Sequence, residues 1–301
     1  MILGLLIFQW GGSGKLDRRL KSKAKVRIGI PVYNEEKNLL KILKSLKNQS
    51  YQNFEVIISD NLSTDNTKKI ATNFCKKNKK FIYFRQKKKL TSFENFNFVF
   101  RNCNTKYFFW NSGHDLRSKN FIKNSISLME KDKNIALSYS RTKIAKSNKY
   151  VECSNEIKNL NESEYIKFFR SFNYNYYIYG MIRTKILKKI NLFQNFIGSD
   201  VVMLIKISKF GKIKYIKNAE TIFGNQDNNS WKNYYQKHLG INKYNLLYDL
   251  NFVYFKKILF ALKSLNFTYL TYLKLSYIFF LKNFMNCLFY IKEIISYKIK
   301  K

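Results

Sequence analysis

The feature that most constrains the fold is an alternation of two patterns between residues 26 and 84. Short, mainly apolar runs typical of buried strands alternate with longer runs that carry an apolar stripe at helical spacing. In chain order they read VRIGI, NEEKNLLKILKSLKNQ, FEVIISD, NLSTDNTKKIATNFCKKN and FIYF. Asn34 stands at the start of the first helical run as a candidate N-cap. This order predicts an α/β fold with a parallel sheet and helices on its faces.

Polar residues follow three of the predicted strands. They are PVYNE after the first, SDNLS at the end of the second, and WNSGHD after the aromatic run KYFF. Ligands of parallel sheets bind beyond the carboxyl ends of the strands. We therefore expect these three segments to converge on one crevice.

The chain is strongly basic, with 56 Lys and Arg against 19 Asp and Glu and a formal net charge of +37. Such an excess favours anionic partners, which include nucleic acid, acidic lipid and phosphorylated small molecules. A bias toward Lys, Asn, Ile, Phe and Tyr, with a single Pro, offers a compositional explanation of the same charge. Charge alone points to a nucleic-acid binder, but no recognisable nucleic-acid-binding module with interleaved aromatics is present, so we expect no nucleic-acid partner.

Cysteine usage and the first residues exclude several classes. Four cysteines lie far apart, with no CxxC pair and no histidine at zinc-site spacing, which suits a reducing cytoplasm. The opening MILGLLIFQW is too short to span a bilayer and lacks signal-peptide features. GGSGK does not have the spacing of a phosphate-binding loop. Residues 1–23 are predicted to be a flexible N-terminal extension.

From about Ser230 the chain becomes rich in aromatic and aliphatic residues punctuated by lysine. At about 100° per residue, four lysines fall on one helical face: Lys256, Lys263, Lys274 and Lys292. No stretch reaches 18 uncharged apolar residues. Residues 229–301 are therefore predicted to form a helical appendage that lies on an anionic membrane surface. An appendage packed on the core or on a second subunit remains the alternative.

The ordered series IGIPVYNEEKNLLKILKSLKNQSYQNFEVIISDNLSTDNT resembles the N-terminal half of the family 2 inverting glycosyltransferases. Those enzymes have the GT-A fold, a Rossmann-like, mostly parallel sheet flanked by helices. The resemblance covers about residues 25–225 and implies a glycosyltransferase domain at 24–228. It also implies a nucleotide-diphospho-sugar donor.

The resemblance implies a set of residues that line the nucleotide sugar. They are Pro31, Tyr33, Glu35, Asp60, Asn61 and Asn97. Among family members the acid corresponding to Glu35 lies near the ribose, and the counterpart of Asp60 accepts a hydrogen bond from the base. The alternatives are a helix N-terminal charge for Glu35 and a turn former for Asp60. Two carboxylates at adjacent strand ends favour a site.

The family binds a divalent cation through a short acidic motif, and WNSGHDL aligns with its His-Asp-Asp variant. The resemblance thus implies Asp115 as a ligand of Mn²⁺ or Mg²⁺, with His114 in place of a second carboxylate. Neutral imidazole suits Mn²⁺ better than Mg²⁺. His114 as a hydrogen-bonding turn residue is the alternative, and Asp227 or His238 could complete the metal shell.

Asp200, in GSDVVML, corresponds to the family's general base, and its alternative role is an N-cap. The family's Gln-x-x-Arg-Trp processivity signature is absent, which favours single sugar additions. We therefore expect an inverting glycosyltransferase that adds one sugar to a glycan or lipid-linked saccharide in cell-surface polysaccharide synthesis. Its expected location is cytoplasmic, peripheral at the inner face of the membrane. A sugar-nucleotide-binding pseudoenzyme and a polyprenyl-phosphate glycosyltransferase are the alternatives.

Overall fold

The computed structural model describes residues 23–151, 156–171, 175–196, 198–224 and 253–282. The strands are β1 Val26–Val32, β2 Phe54–Asp60, β3 Phe81–Arg85, β4 Tyr107–Trp110, β5 Leu116–Arg117, β6 Ile135–Ile144, β7 Tyr150–Val151, β8 Met181–Arg183 and β9 Lys212–Phe223. The helices are α1 Leu39–Lys47, α2 Thr67–Lys77, α3 Ser92–Phe98, α4 Phe121–Lys131, α5 Glu162–Ser171, α6 Thr184–Leu187, α7 Ser199–Ser208, α8 Phe255–Lys263 and α9 at 269–282.

One curled sheet contains the described strands, in the order β3-β2-β1-β4-β8-β6-β9-β5, with β7 beside β6. The pairs β3–β2, β2–β1 and β1–β4 are parallel, as the sequence predicts. Strand β8 is antiparallel to both neighbours, and β9 pairs in parallel with β6. The predicted α/β architecture of the GT-A type, with helices in the C-terminal part, is confirmed.

Helix α1 forms where the apolar stripe dictates, but it begins later than expected. Its buried face consists of Leu39, Ile42, Leu43 and Leu46. The prediction that Asn34 is its N-cap is wrong, since the cap position is Asn38. Asn34 has a positive φ of 56° and belongs to a turn between β1 and the helix. That turn gives the chain four further residues of loop at the sheet edge.

A glycine in the middle of β1 lets helix α3 lie directly on the sheet. A Cβ on Gly29 would come within 2.4 Å of the Val99 side chain and 2.9 Å of the Phe108 ring. The contact fixes the side of the sheet on which Trp110 packs with Phe100 and Phe108. The other face of the parallel strands packs on α1 and α4.

The C-terminal helices pack against the domain on one side and face solvent on the other. Ile258, Ala261 and Leu262 of α8 join the main core, as do Leu275 and Phe279 of α9. Within the residues described, no helix has the length and apolarity needed to cross a bilayer. The predicted domain boundaries stay predictions, and residues 1–22, 229–252 and 283–301 lie outside the described residues.

Candidate active site at the carboxyl edge of the sheet

Strand register brings the three predicted polar segments to one edge. Val32 at the end of β1 pairs with Asp60 at the end of β2, and Gly29 pairs with Trp110 at the end of β4. The loops that leave β1, β2 and β4 therefore start side by side. This is the edge at which parallel sheets bind ligands.

The loops after β1 and β2 are tied together by backbone-to-side-chain hydrogen bonds. The Asn34 amide donates to Ser63 Oγ at 3.0 Å, and the Thr64 amide donates to Asn34 Oδ1 at 2.9 Å. The Glu35 amide donates to Thr67 Oγ1 at 2.8 Å. These bonds satisfy amides that a helix starting at Asn34 would leave to water, and they hold the loop after β1 in one conformation.

Asp60 is fully buried and accepts hydrogen bonds on both oxygens. Ser63 donates to Oδ1 from its amide at 2.8 Å and from its hydroxyl at 2.5 Å. Tyr83 donates to Oδ2 at 2.6 Å and Arg85 at 3.0 Å. Burial, reinforced by the hydrogen bond to Asp60, raises the pKa of Tyr83. Asp60 thus organises the turn after β2, which was the alternative role for this residue, and its predicted contact with the base stays a prediction.

Two of the residues predicted to line the nucleotide sugar, Asn61 and Asn97, form side-chain hydrogen bonds with nearby backbone. Asn61 donates to Leu90 O at 2.9 Å and accepts from Leu90 N at 2.8 Å. Asn97 forms the equivalent pair with Phe193, at 2.7 and 3.1 Å. Asn61 therefore fastens the segment before α3 to the loop after β2, and Asn97 fastens the loop at Phe193 to α3. Direct contact of either amide with a nucleotide stays a prediction.

Pro31 and Tyr33 mark the exit of β1. Pro31 pairs with Ser59 inside the parallel ladder. Tyr33 follows the strand, and the Lys89 ammonium lies 2.7 Å from the centroid of its ring. Lys89 also donates to Asn61 O at 3.2 Å, so one cation bridges the loops after β1 and β2. An ammonium next to an aromatic ring suits the phosphates and base of a nucleotide.

Glu35 and His114 meet at the junction of the loops after β1 and β4. Nδ1 of His114 lies 2.9 Å from Oε1 of Glu35. The close approach depends on Gly113, where a Cβ would come within 2.7 Å of Glu35 Cγ. Burial by itself would lower the pKa of His114, but the Glu35 hydrogen bond and the charge of Asp115 outweigh it, so the pKa is raised.

Asp115 is fully buried beside this pair. Its Oδ1 accepts from the Gly224 amide at 3.2 Å and lies 4.0 Å from His114 Nε2. Among the described residues, nothing donates to its buried Oδ2. Burial raises the pKa of Asp115, and the positive charges of His114 and Arg117 oppose the rise. An unpartnered buried carboxylate oxygen is costly unless a cation or ligand joins it.

Arg117 is a buried charge that the sequence did not single out. Its guanidinium donates to Asn111 Oδ1 at 2.7 Å, to Thr221 Oγ1 at 2.6 Å and to Tyr179 O at 2.9 Å. Burial lowers its pKa to about 10, so it stays charged at neutral pH. It ties β5 to β9 and supplies positive charge near Asp115. In the sequence, only its position two residues after Asp115 indicates that Arg117 belongs to the site.

Asp200 lies in the first turn of α7, where Gly198 and not Asp200 is the N-cap. Its Oδ1 accepts from the Val201 amide at 2.9 Å, and the side chain is partly buried. Tyr254, the residue before α8, packs against Gly198. Burial and the charge of Asp200 raise the pKa of Tyr254. Asp200 thus has a defined orientation beside the C-terminal helices.

Within the described ranges, no group of three or more His, Cys, Asp or Glu side chains could by itself hold a metal ion. Asp227 and His238, considered as further ligands, lie outside those ranges. A cation here would need oxygens from elsewhere, and a bound diphosphate supplies them in sites of this chemistry.

The chain is similar to curated proteins over part of its length. A dolichyl N-acetyl-alpha-D-glucosaminyl phosphate 3-beta-D-2,3-diacetamido-2,3-dideoxy-beta-D-glucuronosyltransferase of Methanococcus voltae is 34% identical over 114 residues, which is 36% of this chain and 35% of that protein. The chain spans 19% to 35% of the length of the curated relatives it matches.

Two solved structures share the fold. S. aureus TarS 1–349 in complex with UDP-GlcNAc superposes with a TM-score of 0.63 at 16% identity, covering 86% of this chain and 72% of that one. The mannosyltransferase PcManGT from Pyrobaculum calidifontis, in complex with GDP-Man and Mn²⁺, gives 0.55 at 14% identity, covering 88% and 79%.

The family model "Glycosyl transferase family 2" matches residues 27–191, from β1 through the residues after α6. The matched range contains Glu35 after β1, Asp60 at the end of β2, and His114 and Asp115 after β4. It spans more than half of the chain. The chain therefore belongs to glycosyl transferase family 2.

Proposed function

We propose that the protein transfers a single sugar, with inversion, from a nucleotide-diphosphate donor to a glycan or lipid-linked saccharide in cell-surface polysaccharide synthesis. The observation that carries the proposal is the buried Asp115 carboxylate, whose Oδ2 lacks a hydrogen-bond donor among the described residues, at the strand edge shared with Asp60. Such an atom is expected where a ligand completes the site. Nucleotide-sugar complexes of structures with this fold support the choice of donor.

The donor nucleotide is proposed to lie along the ends of β1 and β2. Asp60, which Tyr83 and Arg85 hold at the end of β2, is proposed to lie on the base side of the donor site. Tyr33 and Lys89 would contact the base and the phosphates, and Pro31, Asn61 and Asn97 would shape the walls around them. Contacts that are built before the ligand arrives cost little ordering entropy on binding.

A divalent cation is proposed to be held by Asp115 and His114. Carboxylate oxygen suits Mg²⁺ and Mn²⁺, and imidazole nitrogen adds a preference for Mn²⁺. The residues fit such an ion because Oδ2 of Asp115 has no other described partner and His114 Nε2 lies nearby, 4.0 Å from Oδ1. When bound, the ion would neutralise charge on the departing diphosphate.

Asp200 is proposed as the general base that takes the proton of the acceptor hydroxyl as this oxygen attacks the anomeric carbon. Inversion needs one base on the face opposite the leaving group and no covalent nucleophile. Its Oδ1 is held by the Val201 amide, which fixes the carboxylate at the start of α7. A base held in one orientation is the requirement for efficient proton transfer.

The proposed working position is the cytoplasmic face of a membrane, with the C-terminal helices against anionic lipid. Large apolar side chains on α8 and α9 face solvent: Phe260, Tyr269, Leu270, Leu273, Tyr277, Phe280 and Leu281. Lys256, Lys263 and Lys274 are exposed beside them, and residues 253–282 contain no acidic residue. Aromatic groups interleaved with lysines are typical of helices at a bilayer interface. The lysines were predicted to share one helical face. A turn at 264–268 separates Lys256 and Lys263 on α8 from Lys274 on α9.

The donor proposal is tested by thermal melting of the full chain with a panel of nucleotide sugars, with and without Mn²⁺. We expect one donor class to raise the melting temperature, because ligand bound only to the native state stabilises it. Asp115→Asn should abolish the part of the shift that depends on Mn²⁺, whereas Asp200→Asn should keep the whole shift. A wild-type protein that no nucleotide sugar stabilises would refute the proposal.

The membrane proposal is tested by co-sedimentation with phosphatidylcholine vesicles, with and without phosphatidylglycerol. The full chain should pellet only with the anionic vesicles, and a Phe260→Ser, Leu270→Ser, Tyr277→Ser triple variant should stay in solution. Leu40→Ser, which changes an exposed apolar residue of α1 on the other face of the sheet, is the matched control. Equal pelleting of the triple variant and the control would reject these helices as the contact surface.

A further inference from the structure

Glu35 and His114 form a carboxylate–imidazole pair whose geometry selects one nitrogen of the ring. Glu35 Oε1 lies 2.9 Å from Nδ1, whereas Nε2 points to the other side, 4.0 Å from Asp115 Oδ1. An ionised carboxylate is an acceptor only, so Nδ1 carries the proton in this contact. The lone pair of the neutral ring is then on Nε2, on the side of Asp115.

Both partners are held in place by contacts with neighbouring loops and with the start of α1. The Glu35 amide donates to Thr67 Oγ1, and Asn38 Nδ2 lies 3.4 Å from Glu35 Oε2. On the other side, Gly113 allows the loop after β4 to approach, since any Cβ there would press on Glu35. The His114 amide donates to Ser112 Oγ at 3.3 Å. The pair is therefore preorganised before any ligand arrives.

We propose that Glu35 is a positioning residue that fixes His114 in the Nδ1–H tautomer. The ring then presents Nε2 as a nitrogen ligand for a divalent cation, beside the carboxylate of Asp115. The inference rests on the cation site of the proposed function and gives Glu35 a task other than ribose contact. Carboxylates that orient metal-ligating imidazoles are worth about 10–100-fold in metal affinity. A nitrogen ligand would also favour Mn²⁺ over Mg²⁺.

The tautomer can be read without metal, because the chain contains only two histidines, His114 and His238. Long-range ¹H–¹⁵N spectra of the full chain, at a pH where the ring is neutral, should show His114 with its proton on Nδ1. A His114→Gln variant assigns the signal. His114 found with its proton on Nε2, or exchanging freely between both forms, overturns the proposal.

The metal step is tested with Mn²⁺ alone, followed by electron paramagnetic resonance. Wild type should show coupling of the bound Mn²⁺ to ¹⁴N, and His114→Gln should lose it. Glu35→Leu should bind Mn²⁺ about 10–100-fold more weakly, whereas Glu35→Gln, whose Oε1 still accepts from Nδ1, should stay within about threefold of wild type. Glu36→Leu, which removes the same charge one residue later, is the matched control and should bind Mn²⁺ as wild type does.

The outcomes separate this inference from the proposed function. Absence of ¹⁴N coupling in wild type, or undiminished Mn²⁺ affinity in Glu35→Leu, overturns the role of Glu35. If those results accompany intact stabilisation by a nucleotide sugar, the proposed function stands and only this inference fails. Should Glu35→Leu fail to fold, the wild-type tautomer and the comparison of Glu35→Gln with His114→Gln still decide the case.

Discussion

The ring of Tyr254 lies so close over Gly198 that a Cβ atom on the glycine would come within 2.3 Å of the ring carbon Cε2. Gly198 is the N-cap of α7 and has a φ of 78°, which favours glycine. The contact seats the start of α8 against the helix that carries Asp200. The C-terminal helices thereby become part of the wall around the proposed base.

Gly198→Ala should lower the free energy of unfolding by about 2–4 kcal/mol, from left-handed strain and the clash with Tyr254 together. In a Tyr254→Ala background the clash is gone, so the same substitution should cost only about 1–2 kcal/mol. Urea denaturation of the four proteins in this double-mutant cycle measures the coupling. Equal costs in both backgrounds would show that the two residues do not touch.

Removing the Asp60 carboxylate should destabilise the domain as well as the donor site. Asp60→Ala leaves Tyr83 and Arg85 without their acceptor, and since about a third of Arg85 is open to water we expect a loss of roughly 1.5–3 kcal/mol. Ser63→Ala, the control, removes a hydroxyl that donates to Asp60 and accepts from the Asn34 amide, and should cost roughly 1–2 kcal/mol. Urea midpoints give both values, and a smaller loss for Asp60→Ala than for Ser63→Ala would contradict the described network.

Glu162 should make the attachment of α9 sensitive to acid. It accepts from the Thr268 amide at 2.6 Å and from the hydroxyls of Thr268 and Thr271. The Thr268 amide, first among these bonds, holds the pKa of Glu162 below its ordinary 4.5. A lowered pKa gives a stabilisation that is complete above 4.5 and is lost as the pH falls through the lower, native value.

The comparison that checks this is the melting temperature of wild type and Glu162→Gln across pH. Wild type should melt higher at pH 7, and the gap between the two curves should shrink as the pH falls below 4.5. Glu164→Gln, two residues further along α5, is the control for a change of charge on the same helix. A gap between wild type and Glu162→Gln that does not shrink at any pH below 4.5 would contradict the proposed contact.

The parallel half of the fold was predictable from local patterns, and the mixed half was not. Strands β1, β2 and β3 can be predicted because each is a mainly apolar run next to a segment with helical periodicity. Strand β8 has only Met181, Ile182 and Arg183, and its place between β4 and β6 is set by pairings with residues 43 to 76 positions away in the chain. No local pattern specifies such contacts.

The site shows the same division. Asp60, His114 and Asp115 stand next to strand ends, so their residue types and positions were enough to nominate them. The Gly224 amide on Asp115 and the Glu35 carboxylate on His114 come from 109 and 79 residues away. Because the sequence could not place Glu35 beside the imidazole, it predicted a ribose contact for Glu35 and left the role of His114 open.

The configuration of the first-formed product distinguishes inverting from retaining transfer. Donors found in the melting panel, with the sugar α-linked to the diphosphate, are incubated with the full chain and Mn²⁺, so that water takes the place of the acceptor hydroxyl and the nucleoside diphosphate leaves. The anomeric proton of the released sugar is then followed by NMR before mutarotation. We expect the β-anomer to appear first and Asp200→Asn to slow its formation about 10²–10⁴-fold. First formation of the α-anomer, or no turnover of any donor that binds, would contradict inverting transfer.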